Sequence, residues 1–327
     1  MALNLRDRLK RIHEYNSAPS APLRSCAKEN DLIGLGWKQC GFNVMEREVV
    51  LPLPFQPEES LPDYISILIK DLRLRLPEMK DLLFFDLETT GLSTGAGTTA
   101  FLAAFGMIKE SKLFITQYLL LDYPGENDFL ENVLAKLNAE NSVIVSYNGK
   151  CYDSQIIRSR CLINRMKPPV FLHVDLLHPA RRLWKKIIHD CSQSSVETKI
   201  LGLSRDGDIP GALAPVIWFD FLNTGNTEKL TGICDHNISD IFGLSVMFSA
   251  IISIASDLFN TDKYLYDTER LARSVYDFAY RQMVTGNYDI PLELINKAIK
   301  VTEPGTLWYS KLKRRKVRLE KLIEKEK

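Results

Sequence analysis

"LLFFDLETTGLSTGAGTTAF", residues 82–101, runs from an apolar stretch into two carboxylates and then into a turn rich in glycine and threonine. Side chains alternate along a strand, so Asp86 and Glu88, two residues apart, fall on one side of it. Like charges that close repel each other and resist burial. A divalent cation removes the conflict, because hard Mg²⁺ or Mn²⁺ takes oxygen ligands. Simple solvation at a strand end is the plainer alternative, and an isolated D-x-E is common enough to favour it unless other acids join.

Two later segments supply them. "SYNGKCYDSQIIRSRC" brings Asn148, Tyr152 and Asp153 to the end of a short strand and the start of a helix. "DHNISDIFGL" carries His236 and Asp240, which share a helix face at i and i+4. Three separate elements, each with an acid, are then positioned to converge on one metal site.

The chain around them has 327 residues, 45% hydrophobic and 25% charged, with a net charge of +1. That is an ordinary globular composition, and no whole-protein field announces a nucleic acid or a membrane. Charge is uneven, because Lys311–Lys327 holds nine basic and three acidic residues. The N-terminus reads as a short amphipathic helix over 2–14, without the apolar core of a signal peptide. No apolar run is read as reaching the roughly 20 residues of a membrane span. The six cysteines (Cys26, Cys40, Cys151, Cys161, Cys191, Cys234) are scattered, which points to reduced structural thiols and a cytoplasmic location.

Residues 1–80 form an N-terminal extension of unclear fold. Helical patterns near 2–14 and 61–76 flank "NVMEREVVLPLPF", whose prolines predict an edge strand or a crossing segment. From residue 81 to 260 the pattern is clearer. Strands are predicted at 82–86, 100–108 and 112–121, a helix at 126–138, a strand at 142–147 and a helix at 152–163. A strand at 170–177 and a helix through "PARRLWKKI" follow. That order describes a mixed sheet with helices on its faces, an α/β architecture of the ribonuclease H-like kind. Beyond 190 the chain reads as helix and loop. "SQSSVETKILGL" is a serine-capped helix, "RDGDIPGALAP" a loop, and 227–259 one or two long helices. Residues 261–327 read as three helices split near Gly286 and Pro304. The stretch "GNYDIPLELINKAI" resembles part of a tetratricopeptide repeat, although a helical cap on the catalytic region explains it as well.

The segments D-x-E (Asp86, Glu88), N-x₃-Y-D (Asn148 to Asp153) and H-x₃-D (His236 to Asp240) resemble, in order and separation, the three exonuclease motifs of the DEDD (DnaQ-like) 3′–5′ exonuclease superfamily. The likeness is closer to its YprB-like, ribonuclease H-like branch. It is carried by "DLETTGLSTGAGTTAFLAAFG", "YNGKCYDSQIIRSR", "HVDLLHPARRLW", "RDGDIPG" and "DHNISDIFGL" and covers about residues 81–255. The resemblance implies a nuclease that removes nucleotides from the 3′ end of single-stranded DNA or RNA with two Mg²⁺ or Mn²⁺ ions. Asp86 would bridge both ions, Glu88 and Asp240 would hold the first, and Asp153 would bind the second mainly through water. His236 would position or deprotonate the attacking water, although a histidine here stands at the spacing of the superfamily's tyrosine class. A satisfied structural histidine or a helix cap is the alternative for it.

By the same resemblance Thr89, Thr90 and Gly91 would meet the 3′-terminal nucleotide, with Leu92 against its base. Asn148 and Tyr152 would lie close to the same substrate. Asp175 could approach the metals or cap the following helix. "STGAGTTAF" lacks the G-K-[ST] ending of a nucleotide-triphosphate loop, and no histidine stands at zinc spacing with a cysteine pair. Arg158, Arg160, Arg165, Arg181, Arg182, Lys185 and Lys186 are candidates for phosphate contact or for a solvated helix surface, and Trp184 for the core. The C-terminal helices are candidates for binding nucleic acid or a protein partner. An internal cut on the same fold, or a silent nucleic-acid-binding scaffold, are the rival functions.

Overall fold

The computed structural model describes residues 31–326, apart from 74, 92–94, 96 and 206. Its strands are β1 (Lys38–Gly41), β2 (Val44–Pro52), β3 (Leu82–Thr89), β4 (Ala100–Lys109), β5 (Lys112–Leu120), β6 (Val143–Ser146) and β7 (Leu172–Asp175). Its helices are α1 (Ile65–Leu68), α2 (Glu126–Leu137), α3 (Asp153–Ile163), α4 (Leu177–Ile188), α5 (Gln193–Lys199), α6 (Ala214–Thr224), α7 (Glu228–Ser256), α8 (Thr268–Val284), α9 (Asp289–Val301) and α10 (Leu307–Glu326). The helix expected over 2–14, Cys26 and Leu92 lie outside the described residues.

All seven strands form one sheet in the order β1-β2-β5-β4-β3-β6-β7. β3 pairs antiparallel with β4 and parallel with β6, and β6 pairs parallel with β7. The alternation along β3 is complete. Leu82 and Phe84 join one apolar cluster, Phe85 and Leu87 the other, so the sheet is covered on both faces. Asp86 and Glu88 continue the Leu82–Phe84 face, the one covered by α7, where Phe84 meets Phe248 edge to face at 5.8 Å between ring centroids. The opposite face is closed by α2, α3 and α6, with Phe101 stacked on Trp218 at 5.1 Å.

Four expectations change. β2 is an inner strand by order, since β1 pairs with its start and β5 with its whole length. It belongs to the sheet, and the prolines act only at its end. The segment 214–224, whose first two residues close the expected loop and whose remainder has no expectation attached, is α6, which buries Trp218 and Phe221. Third, α7 is long and apolar enough to cross a membrane by length and composition. Its apolar side chains are instead buried against the sheet and against α1, α5 and α6, so it is the central core helix. The 61–76 segment is only partly helical, as the single turn α1 followed by a 3-10 turn at Lys70–Arg73.

The C-terminal helices share the cluster that covers β3, through Leu271, Val275, Leu294, Ile295, Leu312 and Leu319. They act as a helical cap continuous with that face. Trp184 is wholly buried there, as the core reading expected.

The approach of α7 to the sheet depends on Gly106 in β4. A Cβ at that position would stand 2.4 Å from the Ile241 methyl, one residue beyond Asp240. Gly106→Val is therefore expected to push α7 off β4 and cost roughly 2–3 kcal/mol, read as a lower denaturant midpoint at unchanged slope. An unchanged midpoint would mean that α7 can move away freely.

Candidate active site

Three elements bring the acids together. β3 presents Asp86 and Glu88, the N-terminus of α3 presents Asp153, and α7 presents His236 and Asp240. Asp153 starts α3 because Gly149 lets the preceding loop close tightly. A Cβ at Gly149 would meet the Asp153 carboxylate at 2.7 Å and Ser146 Oγ at 2.4 Å.

The acids influence one another strongly. Burial, then the charges of Asp240, Asp153 and Glu88, push Asp86 well above the usual carboxylate range, against a hydrogen bond from Asn237. Burial, then Asp240, Asp153 and Asp208, do the same to Glu88. Asp153 is pushed up to about 7 by burial, Asp175 and Asp240. Glu88 is only 8% exposed, and no hydrogen-bond donor among the described residues reaches its carboxylate. Its nearest ion-pair partner is His236 Nε2, 3.9 Å away.

Positive charge is scarce here. Arg205 bonds to Asp240 Oδ1, to Glu197 Oε2 at 2.5 Å and to Asp208 Oδ2 at 3.1 Å, so one guanidinium serves three carboxylates. Burial works against its charge, but the bond to Glu197 and the charges of Asp240 and Glu197 outweigh that and raise its pKa. Asp208 in turn holds His236 Nδ1 at 2.8 Å. The "RDGDIPG" segment, to which the sequence assigned no chemistry, thus organises Asp240 and His236. Gly211, at its end, permits the close approach, since a Cβ there would lie 2.9 Å from His236 Nε2.

A second chain of bonds reaches Asp86 from the far side. Arg47 donates to Gln117 Oε1 at 2.8 and 3.1 Å, Gln117 Nε2 donates to Asn237 Oδ1 at 2.9 Å, and Asn237 Nδ2 donates to Asp86 Oδ2 at 2.7 Å. Gln117 and Asn237 are fully buried. Sequence reasoning missed Glu197, Asp208, Arg205, Asn237, Gln117 and Arg47 as parts of the site. A polar residue inside an apolar pattern, Gln117 in β5 and Asn237 in α7, was the available signal.

The remaining candidates divide. Thr90 is buried, its Oγ1 accepts from Thr99 N–H at 3.0 Å, and Thr89 Oγ1 lies 3.1 Å from the Tyr152 hydroxyl, which also donates to the Gly91 carbonyl. These hydroxyls fasten the loop after β3 to the start of α3. Asn148 is exposed in a left-handed conformation (φ 62°). Asp175 is 1% exposed, accepts from the N–H groups of Asn148, Lys150 and Leu177 at 2.8–3.2 Å, and its charge acts on Asp153. Arg160 is bound by Glu126, Arg182 bonds to the Leu68 carbonyl, and Lys186 pairs with Asp267 and Glu269.

The donor set suits hard divalent cations: buried carboxylates that raise one another's pKa, one of them without a hydrogen bond. A mixed sheet of this order with acids gathered on an inner strand defines a ribonuclease H-like α/β protein of the nuclease type. Residues 83–252, just over half of the chain, match the RNase_H superfamily, and the chain belongs to that superfamily. Within it the chain is similar to the uncharacterized protein YprB of Bacillus subtilis (strain 168), 37% identical over 171 residues. That match covers 51% of this chain and 41% of the relative, so the chain spans about two fifths of the relative's length. Among solved structures, the family B DNA polymerase from Pyrobaculum calidifontis aligns over 74% of this chain and 46% of its own, with 10% identity and a TM-score of 0.43. That likeness is too loose to bear on function.

His173 supports the same corner of the sheet. It lies between Ser146 Oγ (2.7 Å) and Ser154 Oγ (3.0 Å), tying the end of β6 to the start of α3. Burial lowers its pKa from 6.5 to about 4. Between those values the unfolded chain takes up a proton that the folded chain refuses. Stability is therefore complete above pH 6.5 and falls by roughly 3 kcal/mol as the pH drops through about 4. His173→Gln, which can still bond both serines, is expected to remove this loss when the two stability–pH curves are subtracted. Parallel curves would contradict the assignment.

Proposed function

We propose that the chain is a metal-dependent 3′–5′ exonuclease that hydrolyses phosphodiester bonds of single-stranded DNA or RNA. The observation that carries this reading is the convergence of Asp86, Glu88, Asp153 and Asp240, of which, among the described residues, Asp240 alone bonds directly to a guanidinium, that of Arg205. Membership of the RNase_H superfamily supports nuclease chemistry in general. The order of the three acid-bearing segments supports the exonuclease type.

Asp86, Glu88 and Asp240 would hold one Mg²⁺ or Mn²⁺ ion, and Asp86 with Asp153 a second. Ions bound there supply an activated water and offset the charge developing on the departing 3′ oxygen. Asn237 orients Asp86 through Oδ2, and the other oxygen would be the one offered to an ion. Arg205 does the same for Asp240 through Oδ1, and Oδ2 faces His236. The loop from Thr89 to Gly91, fixed by Tyr152, would wall the end of the strand where a terminal nucleotide enters.

A cleft of about 430 Å³ opens between α4 and the segment 189–193, lined by Tyr147, Asn148, Arg181, Lys185 and Gln193 among others. Gln193 also donates to the Asp240 carbonyl, which links this cleft to the acids. Arg181 and Lys185 share one helix face and have no acidic partner among the described residues, whereas Arg182 and Lys186 are occupied in the fold. Two cations without partners beside the acids suit the phosphates of an approaching strand. The C-terminal helices, with Trp308 between Arg273 and Lys311, would carry a protein partner.

A 5′-labelled single-stranded oligonucleotide incubated with the full chain and Mn²⁺ is expected to shorten from its 3′ end one nucleotide at a time. Asp86→Asn should slow this by at least about a hundredfold while the oligonucleotide still binds. Internal fragments at the earliest times would instead favour an endonuclease. No cleavage of DNA or RNA with any divalent ion would overturn the nuclease reading.

A further inference from the structure

Glu88, His236 and Asp240 each present one donor atom, and the three atoms lie within 4.8 Å of one another. His236 Nε2 stands 3.3 Å from Asp240 Oδ2 and 3.9 Å from Glu88 Oε1. Donors about 2.1 Å from a common ion are separated by roughly 3.0 Å at right angles and 3.4 Å at tetrahedral angles. The 3.3 Å separation is that of neighbouring corners in one coordination sphere, and 3.9 Å that of corners opened wider than the tetrahedral angle.

The proton on the ring is placed by its other side. Asp208 accepts, so Nδ1 carries the hydrogen in the 2.8 Å bond between them, and in the neutral ring Nε2 presents a lone pair. That lone pair faces two carboxylate oxygens, an arrangement of three acceptors that a cation resolves. Glu88, whose side chain is 11% exposed and accepts no hydrogen bond among the described residues, points to a missing positive charge independently of His236. A histidine acting on a metal-bound water needs room for that water. Ring nitrogen to water takes about 2.8 Å and water to ion about 2.1 Å, so nitrogen and ion stand some 4–5 Å apart. An ion seated among all three donor atoms leaves no such gap, so the ligand and general-base roles exclude each other.

The geometry points to His236 as a metal ligand: with Glu88 and Asp240 it forms a nitrogen–oxygen–oxygen site for one divalent ion, in place of the general-base role. The inference rests on the metal reading above and deepens it. Asp208 is then the carboxylate that accepts the ligand's other N–H and fixes its tautomer. Imidazole suits transition ions better than Mg²⁺, so the site discriminates in favour of Mn²⁺.

The test uses the full chain with Mn²⁺ alone and no nucleic acid. Pulsed electron paramagnetic resonance of bound Mn²⁺ is expected to show coupling to a directly ligated imidazole ¹⁴N. The coupling should change to that of ¹⁵N when histidine is isotopically labelled, and disappear in His236→Asn. Calorimetry should show His236→Asn losing at least about tenfold in Mn²⁺ affinity and no more than about threefold for Mg²⁺. Bound Mn²⁺ without nitrogen coupling in the native chain would overturn the ligand assignment and leave the metal reading standing. No Mn²⁺ binding at all would overturn both. The native spectrum decides the matter even if the variant fails to fold.

Discussion

A carboxylate buried beside other carboxylates is stable in its charged form only if positive charge reaches it. β3 places Asp86 and Glu88 on one face, and α3 and α7 add Asp153 and Asp240 from above that face. The single guanidinium nearby is shared among three acids, two of them outside this set. Much of the surrounding structure is arranged to hold this costly group together. Glycines at 106, 149 and 211 bring backbones and helices close enough, and none of the three needs a left-handed conformation to do so.

Two polar supports fix the acids from opposite sides. Arg47, Gln117 and Asn237 reach Asp86 through β2, β5 and α7, and Arg205 and Asp208 reach Asp240 and His236 from the loop before α6. Buried networks of this sort are stable only when every member is satisfied. They also make geometry specific, because Asp86 and Asp240 each keep one oxygen engaged by the protein. β2 therefore contributes to the site although no acid lies on it.

Much of this was legible in the residues. Strict alternation in β3 placed Asp86 and Glu88 together, and the i, i+4 spacing placed His236 with Asp240. The strand and helix order of 82–187 followed from periodicity. What was not legible depended on distant partners. Arg205 meets Asp240 across 35 positions, and Asn237 meets Asp86 across 151, separations to which local pattern is blind. The same blindness left β2 as an edge strand, because its pairing with β5 is set by Val44–Pro52 against a segment some 70 residues on. Helix α7 was legible as helix, but its apolar length was underrated. Burial on all sides gives a core helix the same apolar run as a membrane span.

Thermal unfolding of the full chain, in chelator and then with rising Mn²⁺, measures directly whether the acid cluster awaits cations. The midpoint should rise saturably by about 3 °C or more. Asp86→Asn, with one fewer buried charge, should unfold at a higher temperature than the native chain in chelator and gain little from Mn²⁺. A native midpoint indifferent to Mn²⁺, together with a less stable Asp86→Asn, would contradict the account.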